Sequence, residues 1–134
     1  MRDLETLNNL LTGLSVAADP INLLYVTIGV IAGMIIGALP GLGPSAGIAI
    51  LLPLTFGVSP VAGIILLAGI YYGAMYGGSI TSILINVPGD SASVATTLDG
   101  YPMALAGRAG AALGMSAFAS FIGGTICVVA FMYL

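Results

Sequence analysis

The sequence has no lysine, no histidine and no tryptophan, a single cysteine, and only two arginines and five acids. Nucleic acid and anionic membrane faces are bound through clustered cations, so neither is an expected partner. With Cys127 alone in an apolar run and no imidazole, the chain can form neither an internal disulfide nor a recognisable zinc site. A phosphate-binding loop is excluded by the missing lysine, and acid–base catalysis has neither a histidine nor paired carboxylates to work with. The expectation is a protein that is not an enzyme and carries no cofactor.

Apolar residues are abundant. They make up 59% of the chain against 5% charged residues, where soluble domains carry about 25%, and the mean hydropathy is +1.17. The charges fall at Arg2, Asp3, Glu5, Asp19, Asp90, Asp99 and Arg108, leaving 20–89 and 109–134 uncharged. A membrane-crossing helix needs about 20 largely apolar residues, and these gaps are long enough to hold several. The sequence therefore predicts an all-α integral membrane protein, a multi-pass helical bundle in the lipid bilayer. No cleavable leader is expected, because Arg2 is followed by acids and the first long apolar run starts near Ile21.

Residues 1–18 read as an interfacial amphipathic helix, with Leu4, Leu7, Leu11, Leu14 and Ala18 on one face and Glu5, Thr6, Asn8, Asn9 and Thr12 on the other. Asp19 and Pro20 have the chemistry of a helix N-cap and first helical residue, opening a span over 21–39. Within it Gly29, Gly33, Gly37 and Gly41 recur every fourth residue, a smooth stripe for another helix to approach. The apolar stretch 44–57 is short, contains Pro53 and reads as a re-entrant segment. A second span follows over 60–80, striped by Gly69, Gly73 and Gly77. Its tyrosines, Tyr71, Tyr72 and Tyr76, suit either an interfacial belt or a cavity wall. Residues 81–108 are polar and broken twice, at Val87-Pro88-Gly89-Asp90 and at Asp99-Gly100-Tyr101-Pro102, both turn signals. The last run, 109–134, reaches the end of the sequence uncapped, so the chain reads as the N-terminal portion of a longer membrane domain. Two crossings with a re-entrant segment between them put Arg2 and Arg108 on one side, as arginines that both stay in the cytoplasm would be.

Candidate chemistry lies at two similar helix breaks, Pro40-Gly41-Leu42-Gly43-Pro44-Ser45 and Pro88-Gly89-Asp90-Ser91-Ala92-Ser93. With the topology above they enter from opposite faces, as discontinuous helices do in inverted-repeat transporters. A helix starting after such a break offers unpaired backbone N–H groups that hold a carboxylate without any lysine. The substrate-binding candidates are Gly41, Gly43, Ser45, Ala46, Gly47, Asn86, Gly89, Ser91 and Ser93. Asp90 and Asp99 each read either as a coupling-ion contact, for H+ or Na+, or as an ordinary N-cap and turn residue respectively.

Several motifs together resemble one family. They are Pro40-Gly41-Leu42-Gly43-Pro44, Leu51-Leu52-Pro53-Leu54-Thr55-Phe56-Gly57, the run from Gly69 to Ser79, Asn86-Val87-Pro88-Gly89-Asp90, Thr97-Leu98-Asp99-Gly100-Tyr101-Pro102-Met103-Ala104 and Gly107-Arg108-Ala109-Gly110. In this order they resemble the large permease subunit of the tripartite tricarboxylate transporters, the TctA type. The sequence departs at Leu105 and Ala106, where relatives commonly carry a lysine and a glutamine. The resemblance implies a multi-pass permease of the bacterial inner membrane that takes up a small di- or tricarboxylate such as citrate. The substrate would be delivered by a periplasmic solute-binding protein, a small membrane subunit would assist, and an ion gradient would drive symport. From the residues alone a second reading stays open: a non-transporting membrane scaffold or small subunit whose glycine stripes serve only helix packing.

Overall fold

The structure, a computed structural model, describes residues 2–133; Met1, Leu134 and the side chains of 2–4 and 132–133 lie outside it, and with them the place of Leu4 on the amphipathic face. All its regular structure is helical. In chain order the helices are α1 (Arg2–Ala17), α2 (Pro20–Gly37), α3 (Pro44–Leu51) running into a 3-10 segment (Leu52–Gly57), α4 (Pro60–Ile85), α5 (Val94–Leu105) and α6 (Ala109–Tyr133). Three of these, 20–37, 60–85 and 109–131, are long and apolar enough to cross a membrane. The 26 residues of α4 reach about 39 Å, more than the roughly 30 Å hydrocarbon core of a bilayer.

Local signals set the helix starts. Asp19 accepts a hydrogen bond from the Ile21 N–H at 3.1 Å, and Pro20 fills a position whose N–H would have no helical partner. Ser59 caps α4 in the same way, accepting from the Ala62 N–H at 3.3 Å ahead of Pro60. The corner between α1 and α2 is tied by the buried Asn22, whose amide donates to the Val16 carbonyl at 2.8 Å. On α1 the leucines Leu7, Leu11 and Leu14 are all exposed, an unpaired apolar stripe of the kind that lies in the headgroup layer.

The core is the contact between α2 and α4. Gly29, Gly33 and Gly37 face the backbone of Leu66, Ile70 and Ala74, while Gly69, Gly73 and Gly77 face Val26, Val30 and Met34. A Cβ at Gly69 would stand 2.7 Å from the Val26 carbonyl oxygen, and at Gly33 or Gly37 it would collide with the carbonyls of Ile70 or Ala74. Two backbones are thus in van der Waals contact over three turns, and the six glycines are its condition. Ile70, fully buried, sits at the middle.

These pairings also fix direction. Partners climb together from 29 with 69 to 37 with 77, so α2 and α4 run parallel. A re-entrant 44–57 between two crossings required them to be antiparallel, so that expectation is corrected. The 44–57 segment instead runs back along the pair. Gly47 lies beside Ile36 and Ile70, and Thr55 beside Gly63 near the start of α4. Eight α-helical and six 3-10 residues reach about 24 Å, enough to return the chain despite Pro53. The longer rise per residue of the 3-10 turn is what the apolar count over 44–57 missed. The α5–α6 corner at Gly107 and Arg108 consequently lies at the opposite end of the bundle from the α1–α2 corner.

A second correction concerns Asp99-Gly100-Tyr101-Pro102, expected to be a turn. It lies inside α5, with Pro102 in the last turn, where the Leu98 carbonyl is the only helical acceptor it deprives. Gly100 is buried on Ile83, where a Cβ would approach the isoleucine Cγ1 to 2.7 Å. Packing on α4 outweighs the local turn preference. The actual turn comes at Gly107, with φ of 73°. From there α6 descends antiparallel to α4, joined to it by the Tyr76 hydroxyl, which donates to the Leu113 carbonyl at 3.3 Å.

Two outcomes test this arrangement. In a Cys127→Ser background, Ala18→Cys and Gly57→Cys should react with a membrane-impermeant thiol reagent from one side and Ala106→Cys from the other; labelling of positions 18 and 57 from opposite sides would restore the antiparallel arrangement. Gly33→Ala should lower the midpoint of thermal unfolding in detergent by the equivalent of about 1–3 kcal/mol, as overpacking does. Gly123→Ala on α6, with nothing within 4 Å of its added methyl, should leave that midpoint unchanged.

Candidate functional site

At its end α4 stops in a left-handed cap. Asn86 has φ of 58°, its N–H and that of Val87 both point back to the Thr81 carbonyl, and asparagine is the non-glycine residue that accepts this geometry most readily. The chain then folds back along the last turns of α4, so that Gly89 lies against Gly78 and the Gly37 carbonyl. That retreat is about 10 Å at the helical rise. Asp90 to Ser93 turn it around, and α5 leads outwards again past Ile83.

The first break ends α2 at the same level. Gly41, with φ of 81°, donates its N–H to the Gly89 carbonyl at 3.2 Å, and a Cβ at Gly43 would be 3.5 Å from the Asp90 Cβ. The two Pro-Gly breaks therefore meet, backbone to backbone. They enter from the same end of the bundle, and the expectation of opposite faces is corrected: it followed from antiparallel spans, and the spans are parallel.

Of the sequence candidates, the junction brings together Gly41, Gly43, Gly89 and Asp90, with Ser93 immediately behind. Ser93 is buried and locked to Asp90: its N–H donates to Asp90 Oδ1 at 2.8 Å, its hydroxyl to the Asp90 carbonyl at 2.9 Å, and the Asp90 N–H donates to Ser93 Oγ at 3.1 Å. This reciprocal cap orders the turn and occupies the Asp90 carboxylate. Ser45, Ala46 and Gly47 form the first turn of α3, where the Gly47 N–H is taken by the Gly43 carbonyl at 3.1 Å and those of Ser45 and Ala46 have no helical acceptor. Ser45 and Ser91 are exposed and Gly47 is buried. Asn86 is not at the junction; it stands exposed some two turns further along α4 as the helix cap. Asp99 also lies elsewhere, in a cleft between α4, α5 and α6.

Sequence reasoning overlooked Gly78, against which Gly89 packs so closely that a Cβ at Gly89 would collide with the Gly78 Cα and the Gly37 carbonyl, while one at Gly78 would meet only ordinary contact; its signal was the doubled Gly77-Gly78 that ends the stripe. It also passed over Gly43-Pro44-Ser45-Ala46-Gly47, which has the G-x-S-x-G spacing of a serine nucleophile turn. Here those residues join a helix break to a helix rather than a strand to a helix, and the sequence has no histidine to activate the serine. Among the described residues no buried side-chain polar atom lacks a hydrogen bond, and no group of three metal-ligating side chains occurs. The junction is thus a seam of glycines and backbone amides, suited to close approach by a small polar anion.

Two glycine-striped spans, each followed by a Pro-Gly break, and a third apolar helix define a multi-pass helical membrane protein. Residues 23–134 match the Tripartite tricarboxylate transporter TctA family, and the chain belongs to it. It is similar to an uncharacterized 52.8 kDa protein in the TAR-I ttuC' 3' region of Agrobacterium vitis, 50% identical over 126 residues. That alignment covers 94% of this chain and 25% of the relative, so the chain spans about a quarter of that protein's length. No solved structure matches.

The left-handed cap of α4 predicts distinct responses to two substitutions at one position. Asn86→Gly should be near neutral, whereas Asn86→Val should destabilise by about 1–2 kcal/mol, the cost of the left-handed region for a residue with a Cβ; equal unfolding midpoints for the two variants would remove the cap assignment.

Proposed function

We propose that this chain contributes to the permease of a secondary active transporter that carries small di- or tricarboxylates, citrate-like in charge, across the bacterial inner membrane. The substrate comes from a periplasmic solute-binding protein, a small membrane subunit completes the complex, and a gradient of H+ or Na+ drives uptake. The chain acts on its substrate without covalent chemistry.

The observation that carries this reading is the bond from the Gly41 N–H to the Gly89 carbonyl, which holds two helix breaks together in a chain of this family. Next to it the free N–H groups of Ser45 and Ala46 begin α3, with the partial positive charge of a helix start. Carboxylates are bound well by such donors, and glycine at 41 and 43, outside the buried seam, lets a ligand approach the backbone. The Ser45 and Ser91 hydroxyls supply further donors at the rim. A packing-only scaffold accounts for Gly29, Gly33, Gly37, Gly69, Gly73 and Gly77 but not for Gly43, where a methyl group would meet only ordinary contact.

Gly43 therefore separates the two readings. In the full-length permease reconstituted with its partner subunits, Gly43→Ala should raise the KM for labelled carboxylate about tenfold, equivalent to 1.4 kcal/mol, with unchanged membrane insertion and thermal stability. Uptake kinetics identical to those of the parent protein would leave the break with a structural role only.

A further inference from the structure

Asp90 and Asp99 lie nine positions apart on the sequence, yet the structure gives them opposite circumstances. Asp90 has an evident local role: its carboxylate receives the Ser93 N–H and orders the turn that enters α5. Asp99 has no such role. It is the sixth residue of a twelve-residue helix, a place where aspartate is unfavourable relative to most residues. It caps no helix, and among the described residues it makes no hydrogen bond and no ion pair.

Asp99, itself exposed, lines an open cleft of about 430 Å³ between α4, α5 and α6. Its walls carry an unusual share of oxygen for so apolar a chain: the hydroxyls of Ser79 on α4, Thr96 on α5, and Ser116 and Ser120 on α6. No other titratable or charged side chain lines it. On the packed elements the described groups of this kind are Tyr71, Tyr72 and Tyr76 on α4, Asp90 ahead of α5, Tyr101 within it, Arg108 at the corner and Cys127 far along α6.

We propose that this cleft is the cation site of the protein, with Asp99 as its charged ligand, separate from the junction of the two breaks. The ligand class follows from charge and donor type. Hard oxygen donors select hard cations, and one carboxylate among neutral hydroxyls balances one positive charge. A divalent ion would be undercompensated, and the described residues hold no cluster of acids for one. The volume leaves room for the water that completes the shell of a sodium ion, and a proton on the carboxylate is the limiting form of the same monovalent occupancy. Because α5 carries the Asp90–Ser93 cap at its start and Asp99 two turns later, an ion on Asp99 bears on the helix that orders the second break. In calling this ion the coupling ion, the assignment rests on the transport reading above; its binding does not.

The test begins with binding, independent of any carboxylate. Thermal unfolding of the purified chain in detergent is followed in sodium chloride against choline chloride at equal ionic strength, and separately from neutral to mildly acidic pH. A ligand that binds the folded state alone raises the midpoint by mass action. Sodium should raise it by several degrees in the parent chain and in Asp99→Glu, less in Ser116→Ala, and not in Asp99→Asn. If acid rather than sodium gives a stabilisation that Asp99→Asn abolishes, the occupant is the proton and the site stands. Parent chain and Asp99→Asn responding alike to both sodium and pH would overturn the site. Should Asp99→Asn fail to accumulate, Ser116→Ala and Ser120→Ala decide, and parental responses in both overturn it. In the reconstituted permease, loss of the carboxylate reading with Asp99-dependent stabilisation intact would show that the two proposals fail separately.

Discussion

Everything in this fold depends on the parallel contact of α2 with α4, backbone against backbone. In lipid the hydrophobic effect gives helices little reason to associate, so close packing must supply the attraction, and it does so best where no side chain intervenes. Glycine on both partners, three turns deep, gives that approach. A parallel pair cannot be joined by a short turn. The chain has to travel back the length of the contact, and α3 with its 3-10 extension is that return. Parallel packing also places the C-terminal ends of both helices together. The meeting of the two Pro-Gly breaks is therefore a consequence of the glycine stripes and not a separate invention.

Much of this was legible in the sequence. The absence of charge from 20–89 marked the spans, Asp19-Pro20 marked the start of α2, and the stripes at Gly29, Gly33 and Gly37 and at Gly69, Gly73 and Gly77 were recognised as helix contacts. The stripes do not encode direction. A run of small residues every fourth position serves parallel and antiparallel neighbours equally, and orientation then rested on the length of 44–57, where Pro53 and a short apolar run looked too little to cross. The two arginines, taken as sharing a side, reinforced the error.

The candidate site was legible in its parts but not in its assembly. Both breaks were visible from Pro-Gly, yet nothing local says that the Gly41 N–H finds the Gly89 carbonyl, because that bond depends on the register of two distant helices. Asn86 shows the converse difficulty. Its side chain suggests a polar ligand contact, while its backbone, at φ of 58°, explains its presence as a helix stop. Asp99 beside Gly-Tyr-Pro has the composition of a turn. Only the packing of Gly100 on Ile83 reveals that the segment stays helical and puts Asp99 on the cleft shared with α6.

Polar groups are so scarce in this chain that each can be asked what holds it. Thr27, Ser82 and Thr125 bond to carbonyls four residues back, a self-contained solution for a hydroxyl in an apolar surrounding. Asn22 and Tyr76 spend their hydrogen bonds joining helices, and Asp90 spends its carboxylate on a turn. The helix α6 stands apart: among its described residues only Ala112 is buried, and Phe121 and Phe131 are 74% and 85% exposed. Two of its serines, Ser116 and Ser120, line the cleft that Asp99 also lines. A largely apolar helix thus places two serines beside the one of Asp90 and Asp99 that has no structural task, and that asymmetry in an otherwise economical chain is what sets the cleft apart from packing.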